Sequence, residues 1–96
     1  MLYNPVSVRN FDRAKKKLPP SLRAEVDRHV RVICDHPDLG EKKVGDLHGV
    51  RVHKFRLASR LHLLAYWCDE PARTITLLAL GGHENFYRDL KRYLAE

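Results

Sequence analysis

From Lys42 to His62 the chain carries six basic residues (Lys42, Lys43, Arg51, Lys54, Arg56 and Arg60), one acid, Asp46, and three histidines, His48, His53 and His62. No carboxylate follows Asp46 until Asp69. Inert sheet faces usually intersperse the two signs, because like charges opposed across strands destabilise them. Side chains alternate along a strand, so Val52, Lys54 and Arg56 share one face while His53, Phe55 and Leu57 share the other. In the strand that follows, Arg60, His62, Leu64 and Tyr66 lie on one side, and Leu61, Leu63, Ala65 and Trp67 on the other, turned toward the helices. The expectation is that Lys54, Arg56, Arg60 and His62 meet across this hairpin. Burying even one unpaired charge costs several kcal/mol, against the roughly 5–15 kcal/mol that holds a whole domain together, so such a face cannot be dry core. It is open to water or to an anion, and contact with nucleic-acid phosphate fits it better than a merely solvated surface.

A second group lies near the C-terminus, where His83, Tyr87 and Lys91 are spaced to stack along one side of a helix. Gly81-Gly82 lets the chain leave the preceding strand sharply and sets His83 at the rim of the neighbouring strand face. A histidine suits proton transfer because its unperturbed pKa, near about 6.5, lets it serve in either direction. His29, His36 and His48 have no comparable company and read as surface or packing residues. No HxxxH or mixed Cys/His spacing occurs, so a metal site is not expected.

These residues must be held by the elements around them. Tyr3 to Val8 reads as a short edge strand, where Pro5 is tolerated. Asn10 caps a helix running to Lys17 with Phe11, Ala14 and Leu18 on one side. Leu18-Pro19-Pro20 stops it and starts a second, in which Leu22, Val26, His29/Val30 and Ile33 recur with helical spacing, so the two form a hairpin. Glu25 with His29, and Asp27 with Arg31, are surface pairs on the second helix. Asp35-His36-Pro37 ends it, and Pro37 to Gly49 reads as a linker. Three strands follow, Val50 to Leu57, Leu61 to Trp67 and Thr74 to Leu80, joined by short turns into an antiparallel meander. Gly81-Gly82 breaks the last strand, Glu84 suits the positive end of a helix, and Phe86, Leu90 and Tyr93/Leu94 form that helix's apolar stripe.

Composition agrees with one α+β domain over residues 1–96. The chain has 96 residues, 44% hydrophobic and 31% charged, with 18 Lys and Arg against 12 Asp and Glu, giving a net charge of +6. That balance excludes a disordered tail and favours an anionic partner. The longest apolar run, Leu63 to Cys68, is far short of the roughly 18 residues of a membrane span, and the first residues lack a basic and then apolar leader pattern. Cys34 and Cys68 are the only cysteines. Without CxxC spacing they read as free thiols in a reducing cytoplasm, with a disulfide the lesser alternative.

Together these motifs resemble the RelE/ParE superfamily of small bacterial toxins from type II toxin-antitoxin modules. The resemblance rests on the helical hairpin with Lys17-Leu18-Pro19, KVGDLHG (Lys43 to Gly49, preceded by Lys42), VHKFR (Val52 to Arg56), SRLHLLAYW (Ser59 to Trp67) and LGGHENFYRDLKRYL (Leu80 to Leu94). It covers nearly the whole chain and implies a RelE-like α+β fold: an N-terminal helical hairpin on a small, mainly antiparallel sheet, an edge strand plus a three-strand meander, with a C-terminal helix. Members of the RelE branch are ribonucleases that cleave mRNA in the ribosomal A site without a metal. The resemblance therefore implies a cytoplasmic mRNA endoribonuclease that inhibits translation, with no cofactor. Its partners would be the ribosome, mRNA and a cognate antitoxin in a heteromeric complex, with no membrane.

By similarity, Lys54 and Arg56 match basic positions of the first meander strand, and Arg60 or His62 matches the arginine that opens the next. Gly81-Gly82-His83 is similar to the ending of YafQ-type members, where the histidine moves protons, and Tyr87 falls where RelE-type members carry a functional tyrosine. The arginine that RelE-type members carry near the last strand is absent. The implied catalytic set is Lys54, Arg56, Arg60, His62, His83 and Tyr87. In it His83 is the base or acid, His62 a second proton-transfer candidate, Lys54, Arg56 and Arg60 hold the phosphate, and Tyr87 orients the nucleotide. Lys42, Lys43, Arg51, Arg88 and Lys91 are the implied RNA contacts. Two alternatives stay open: a ParE-type poison of DNA gyrase without a nuclease site, and a catalytically silent RNA-binding module.

Overall fold

A computed structural model describes residues 2–96. The chain runs β1 (Asn4–Ser7), α1 (Arg9–Lys16), α2 (Pro20–Asp35), β2 (Glu41–Lys42), a 3-10 turn (Gly45–Leu47), β3 (Arg51–Leu57), β4 (Arg60–Asp69), β5 (Thr74–Gly82) and α3 (Phe86–Ala95). The strands form one sheet in the order β1-β5-β4-β3-β2. Pairing is antiparallel except for β1, which lies parallel to β5 at one edge with Pro5 opposite Ile75. This is the α+β arrangement implied above, with β2 added at the far edge.

The sheet buries both faces. On one, the helical hairpin contributes Phe11, Val26, Val30, Ile33 and Cys34 to a core with Phe55, Leu57, Leu64, Tyr66, Ile75 and Leu77. On the other, Phe86 and Leu90 of α3 cover Leu47, Val50, Val52, Leu63, Ala65, Leu78 and Ala79. Each fully buried aliphatic or aromatic side chain contributes about 1.5–3 kcal/mol, so the two cores together fix the layers. The expected stripe of α2 is the observed one. Leu63 and Ala65, however, face α3 and not the hairpin.

The cause is the β3–β4 turn. Ala58 and Ser59 both have positive φ, 51° and 66°, as a two-residue hairpin loop of the primed type requires. That loop places Leu57 opposite Arg60, Phe55 opposite His62 and Lys54 opposite Leu63. Directly paired residues project from the same face, so an odd-numbered position of β3 shares its face with an even-numbered one of β4.

Several local expectations are corrected. Val8, not Asn10, precedes α1 as its cap residue, and the Asn10 side-chain amide instead donates to the Leu78 carbonyl at 2.9 Å, tying α1 to β5. Asp27 pairs with Lys15 of α1, which fastens the hairpin, and Glu25 pairs with Arg28. The strand β5 runs through both glycines, Gly81 opposite Leu63 and Gly82 opposite His62. The sharp exit comes later, at Asn85, which has φ 64° and precedes α3. Asparagine tolerates that left-handed conformation better than most residues.

The segment read as a linker is pinned. Tyr66 Oη accepts from the Gly40 N–H at 2.8 Å and donates to the Pro37 carbonyl at 2.8 Å. A Cβ on Gly40 would sit 2.8 Å from that ring and hydroxyl, closer than real contacts allow, so the approach needs glycine. Burial raises the Tyr66 pKa, keeping the phenol protonated. Both cysteines are free thiols, Cys34 buried and Cys68 half-buried. Among the described residues no helix is long and apolar enough to cross a membrane.

Candidate nucleic-acid interface

The sheet face that carries α3 is covered only in part. Lys54 and Arg56 are exposed, and their partners in β4 are Leu63 and Leu61, with Leu63 continuing to Gly81 of β5. Lys54, Leu63 and Gly81 therefore form one row across three strands. Leu63 is fully buried and Gly81 lies beneath Phe86, whose ring would meet a Cβ there at 3.5 Å, so only the Lys54 end of that row is open. His83 is exposed in the bend between β5 and α3. The β4–β5 pairing ends with His62 opposite Gly82, so His83 is the first residue past the paired strand. The Arg56 guanidinium turns back to the Ser59 carbonyl at 3.3 Å.

β2 adds residues that the sequence did not assign to this face. Glu41 is opposite Val52 and so shares the side of Lys54. Its carboxylate takes the Lys43 ammonium at 2.6 Å, and its pKa is lowered first by that hydrogen bond, then by the charges of Lys43 and Lys54. A cationic face without carboxylates was expected, and Glu41 relieves it. The 3.6-residue and alternating patterns could not reveal this, because β2 is two residues long.

Lys43 Nζ lies 4.9 Å from the centroid of the Tyr87 ring, and its pKa is raised, chiefly by Glu41. Tyr87, in the first turn of α3, packs edge-on against Phe86 with centroids 5.5 Å apart. Its hydroxyl is buried and makes no hydrogen bond of normal geometry among the described residues, though the Lys43 ammonium bears on it. Lys91 is exposed one turn on and Arg88 is exposed with its guanidinium on Asp89 at 3.3 Å. Tyr87 and Lys91 share a side of α3. His83 precedes the helix by three residues, so the expected stack of three does not form as a helical stripe.

Arg60 and His62 stand on the opposite face, that of Phe55 and Leu57. The register separates them from Lys54 and Arg56, correcting the expected meeting of all four. His62 Nδ1 is 3.2 Å from the Arg60 carbonyl. A carbonyl can only accept, so Nδ1 carries the hydrogen and Nε2 is left as an acceptor when the ring is neutral. Lys42 is opposite Arg51 and also faces this side. The Arg51 guanidinium is committed to the Gly40 and Asp38 carbonyls at 2.8 and 3.3 Å. Both line a groove with Asp38, Asp69 and Glu70, a mixed surface and not a continuation of the Lys54 row.

The sequence also missed the company of His29. Its Nδ1 is 3.0 Å from His53 Nε2, and its ring stacks on Phe55 with centroids 4.2 Å apart. Burial lowers the pKa of both histidines, aided by Arg28 for His29 and by His29 for His53. His36 and His48 are exposed, as read. Among the described residues no group of three or more His, Cys, Asp or Glu is placed to hold a metal.

Comparison with known proteins supplies a frame for this geometry. No curated protein matches the chain in sequence. Its fold is similar to the RelBE2 toxin-antitoxin complex of Mycobacterium tuberculosis, with TM-score 0.76, 20% identity and coverage of 86% of this chain and 100% of that one. It is also similar to a mutant of the Escherichia coli toxin RelE in the free state, with TM-score 0.74, 16% identity and coverage of 98% and 99%. The archaeal RelE-RelB complex of Pyrococcus horikoshii OT3 aligns with TM-score 0.62, 15% identity and coverage of 88% and 98%. At such identities these likenesses speak to the fold. A family model matches residues 6–91, nearly the whole of the structure just described, and by that match the chain belongs to the ParE-like toxins of type II bacterial toxin-antitoxin systems.

Proposed function

We propose that this toxin is a ribosome-dependent, metal-independent mRNA endoribonuclease that inhibits translation. The observation that carries the reading is the uncovered β3 end of the α3 face, where Lys54 and Arg56 are exposed, with exposed His83 in the bend that follows β5, two strands from β3. Cleavage by the 2′-hydroxyl needs a base for its proton, cations for the charge that develops on the phosphorane and an acid for the leaving 5′-oxygen. Lys54 and Arg56 supply the cations, and His83 supplies an imidazole, a side chain of the type used as base or acid. Attack of the 2′-oxygen forms the new P–O bond as the bond to the 5′-oxygen breaks, and the proton lost at one oxygen is matched by one gained at the other.

In this scheme Tyr87 borders the nucleotide. Arg60 and His62 reach RNA only around the β3–β4 turn, so they act beside the phosphate cradle and not within it. Arg88 and Lys91 flank the site as weaker RNA contacts, whereas Lys42 and Arg51, on the opposite face, stand outside it. A cognate antitoxin completes the system, since solved relatives are toxin-antitoxin complexes. An acidic, partly disordered segment suits the +6 charge of this chain.

The gyrase-poison reading gains from one feature, the division of the expected cation cluster between two faces. Primer extension on mRNA from briefly induced cells separates the two, run beside a Lys54→Ala/His83→Ala variant. New 5′ ends within coding regions that vanish in the variant support the nuclease. Growth arrest with intact mRNA and trapped, cleaved DNA in a supercoiling assay supports gyrase instead.

A further inference from the structure

We propose that Glu41 and Lys43 form a clamp that positions the ring of Tyr87, so that Lys43 acts through the tyrosine and not on RNA phosphate. The proposal rests on the nuclease reading for its consequence, though the clamp itself rests on geometry. Lys43 follows the last residue of β2, and its N–H donates to the Val50 carbonyl at 2.9 Å, which fixes its backbone against the strand leading into β3. Its side chain is only 19% exposed, whereas Lys42, Lys54 and Arg56 are open to solvent. The ammonium is held at one end by Glu41 at 2.6 Å and stands 4.9 Å from the Tyr87 ring centroid.

Those distances leave Lys43 poorly suited to a phosphate contact. Its charge is already matched by Glu41, so binding RNA there would first have to displace a carboxylate, with little counterion release to gain. The same arrangement suits ring orientation. A buried tyrosine is ordinarily fixed by a hydrogen bond from its hydroxyl, but that of Tyr87 makes none of normal geometry among the described residues and has the Lys43 ammonium bearing on it instead. What fixes the ring is the edge contact with Phe86 at 5.5 Å and the cation of Lys43. A cation facing a ring is attracted by its quadrupole and restricts its tilt. Glu41 keeps that cation in place, so β2, joined to β3 and not to α3, sets the position of a side chain on α3.

The test compares Lys43→Met, which keeps much of the stem and removes the charge, with Lys43→Arg, which keeps the charge, in wild-type and Tyr87→Leu backgrounds. Cleavage of ribosome-bound mRNA is measured as kcat and KM at several salt concentrations. Lys43→Met is expected to lower kcat by about tenfold with KM nearly unchanged, as for a lost transition-state contribution, and with the salt slope of binding unchanged. Lys43→Arg restores kcat, and Lys43→Met has no further effect in the Tyr87→Leu background. A rise in KM with kcat intact, a salt slope shallower by about one, and full additivity with Tyr87→Leu would overturn the clamp.

A second measurement does not depend on activity. The Lys43 Hε protons, lying near the Tyr87 ring, are expected upfield in the proton spectrum of the wild type and at ordinary shifts in Tyr87→Leu. Their absence upfield overturns the clamp whatever the enzyme does. An upfield shift in a protein that cleaves no mRNA rejects the nuclease reading and leaves the clamp standing.

Discussion

His29 Nδ1 and His53 Nε2 meet at 3.0 Å across the interface between α2 and β3, and only one of the two nitrogens can hold a hydrogen on that axis. The pair is therefore compatible with two neutral rings or one charged ring, but two imidazolium ions would place like charges and two donors against each other. Glu25 and Arg28 of α2 bear on His29 with opposite signs, and Phe55 of β3 covers its ring. Across Phe55 lies His62 of β4, 6.3 Å away between centroids.

The pH dependence follows from that contact. Both folded-state pKa values lie below the unfolded value, so between the two the unfolded chain binds more protons and stability rises with pH. The neutral pair's contribution is fully present above about 6.5 and is lost as pH falls from there through the folded values. Thermal unfolding followed from pH 8 to pH 5 is expected to show a falling midpoint, and a His29→Gln/His53→Gln variant a flatter profile. A variant as steep as the wild type over that range would exclude the pair as the source.

Tyr66 bears on the loop that leads to Glu41. Replacing it with Phe removes the acceptor for the Gly40 N–H and the donor to the Pro37 carbonyl, two bonds of 2.8 Å. Leaving buried groups unsatisfied costs about 1–3 kcal/mol, which lowers the midpoint of a domain this size by about 4–24 °C. The same change should loosen β2, so amide exchange at Glu41 and Lys43 is expected to quicken by more than at β4 and β5. Uniform quickening across the sheet would show that Tyr66 acts on global stability alone.

The division of basic residues between faces predicts an asymmetric alanine series. Lys54→Ala and Arg56→Ala are each expected to reduce mRNA cleavage by about 10²–10³, the range for losing a preorganised charge partner of the transition state. Arg60→Ala, on the opposite face with Leu57, is expected to cost less than about tenfold and to act mainly on binding. Equal losses at all three positions would mean that RNA wraps the turn and uses both faces at once.

Much of the fold was legible because its signals are local. Leu22, Val26, Val30 and Ile33 mark the buried stripe of α2 by spacing alone, and the Pro pair bounds both hairpin helices. The contents of the site were less legible, because they depend on pairing. Lys54 and Arg56 were assigned to one face by alternation, but alternation along β3 does not say which side of β4 continues it. Glu41 and the His29–His53 contact arise from a two-residue strand and from helix-on-sheet packing, neither of which leaves a periodic trace. The exposed Lys54, Arg56 and His83 were found by residue type, and the structure altered their neighbours.

The turn that sets this division is itself open to test. Ala58 and Ser59 both hold positive φ, a conformation that costs a residue with a Cβ about 1–2 kcal/mol and that Asn-Gly adopts readily. Ala58→Asn/Ser59→Gly is therefore expected to stabilise the protein by about 1 kcal/mol or more, relieving part of that strain at each position, with the midpoint rising by several degrees. Because the loop length is unchanged, Leu57 stays opposite Arg60 and activity should be retained. Inserting one residue between Ala58 and Ser59 would instead force a bulge or shift the register by one. A one-residue shift turns the alternate set of β4 toward α3, exchanging Leu63 and Ala65 for Leu64 and Tyr66 in the wrong core. The insertion variant is expected to lose several kcal/mol unless a bulge absorbs the extra residue. Cross-strand contacts between Lys54 and Leu63 by proton NMR distinguish the two, since the bulge preserves them and the slip does not.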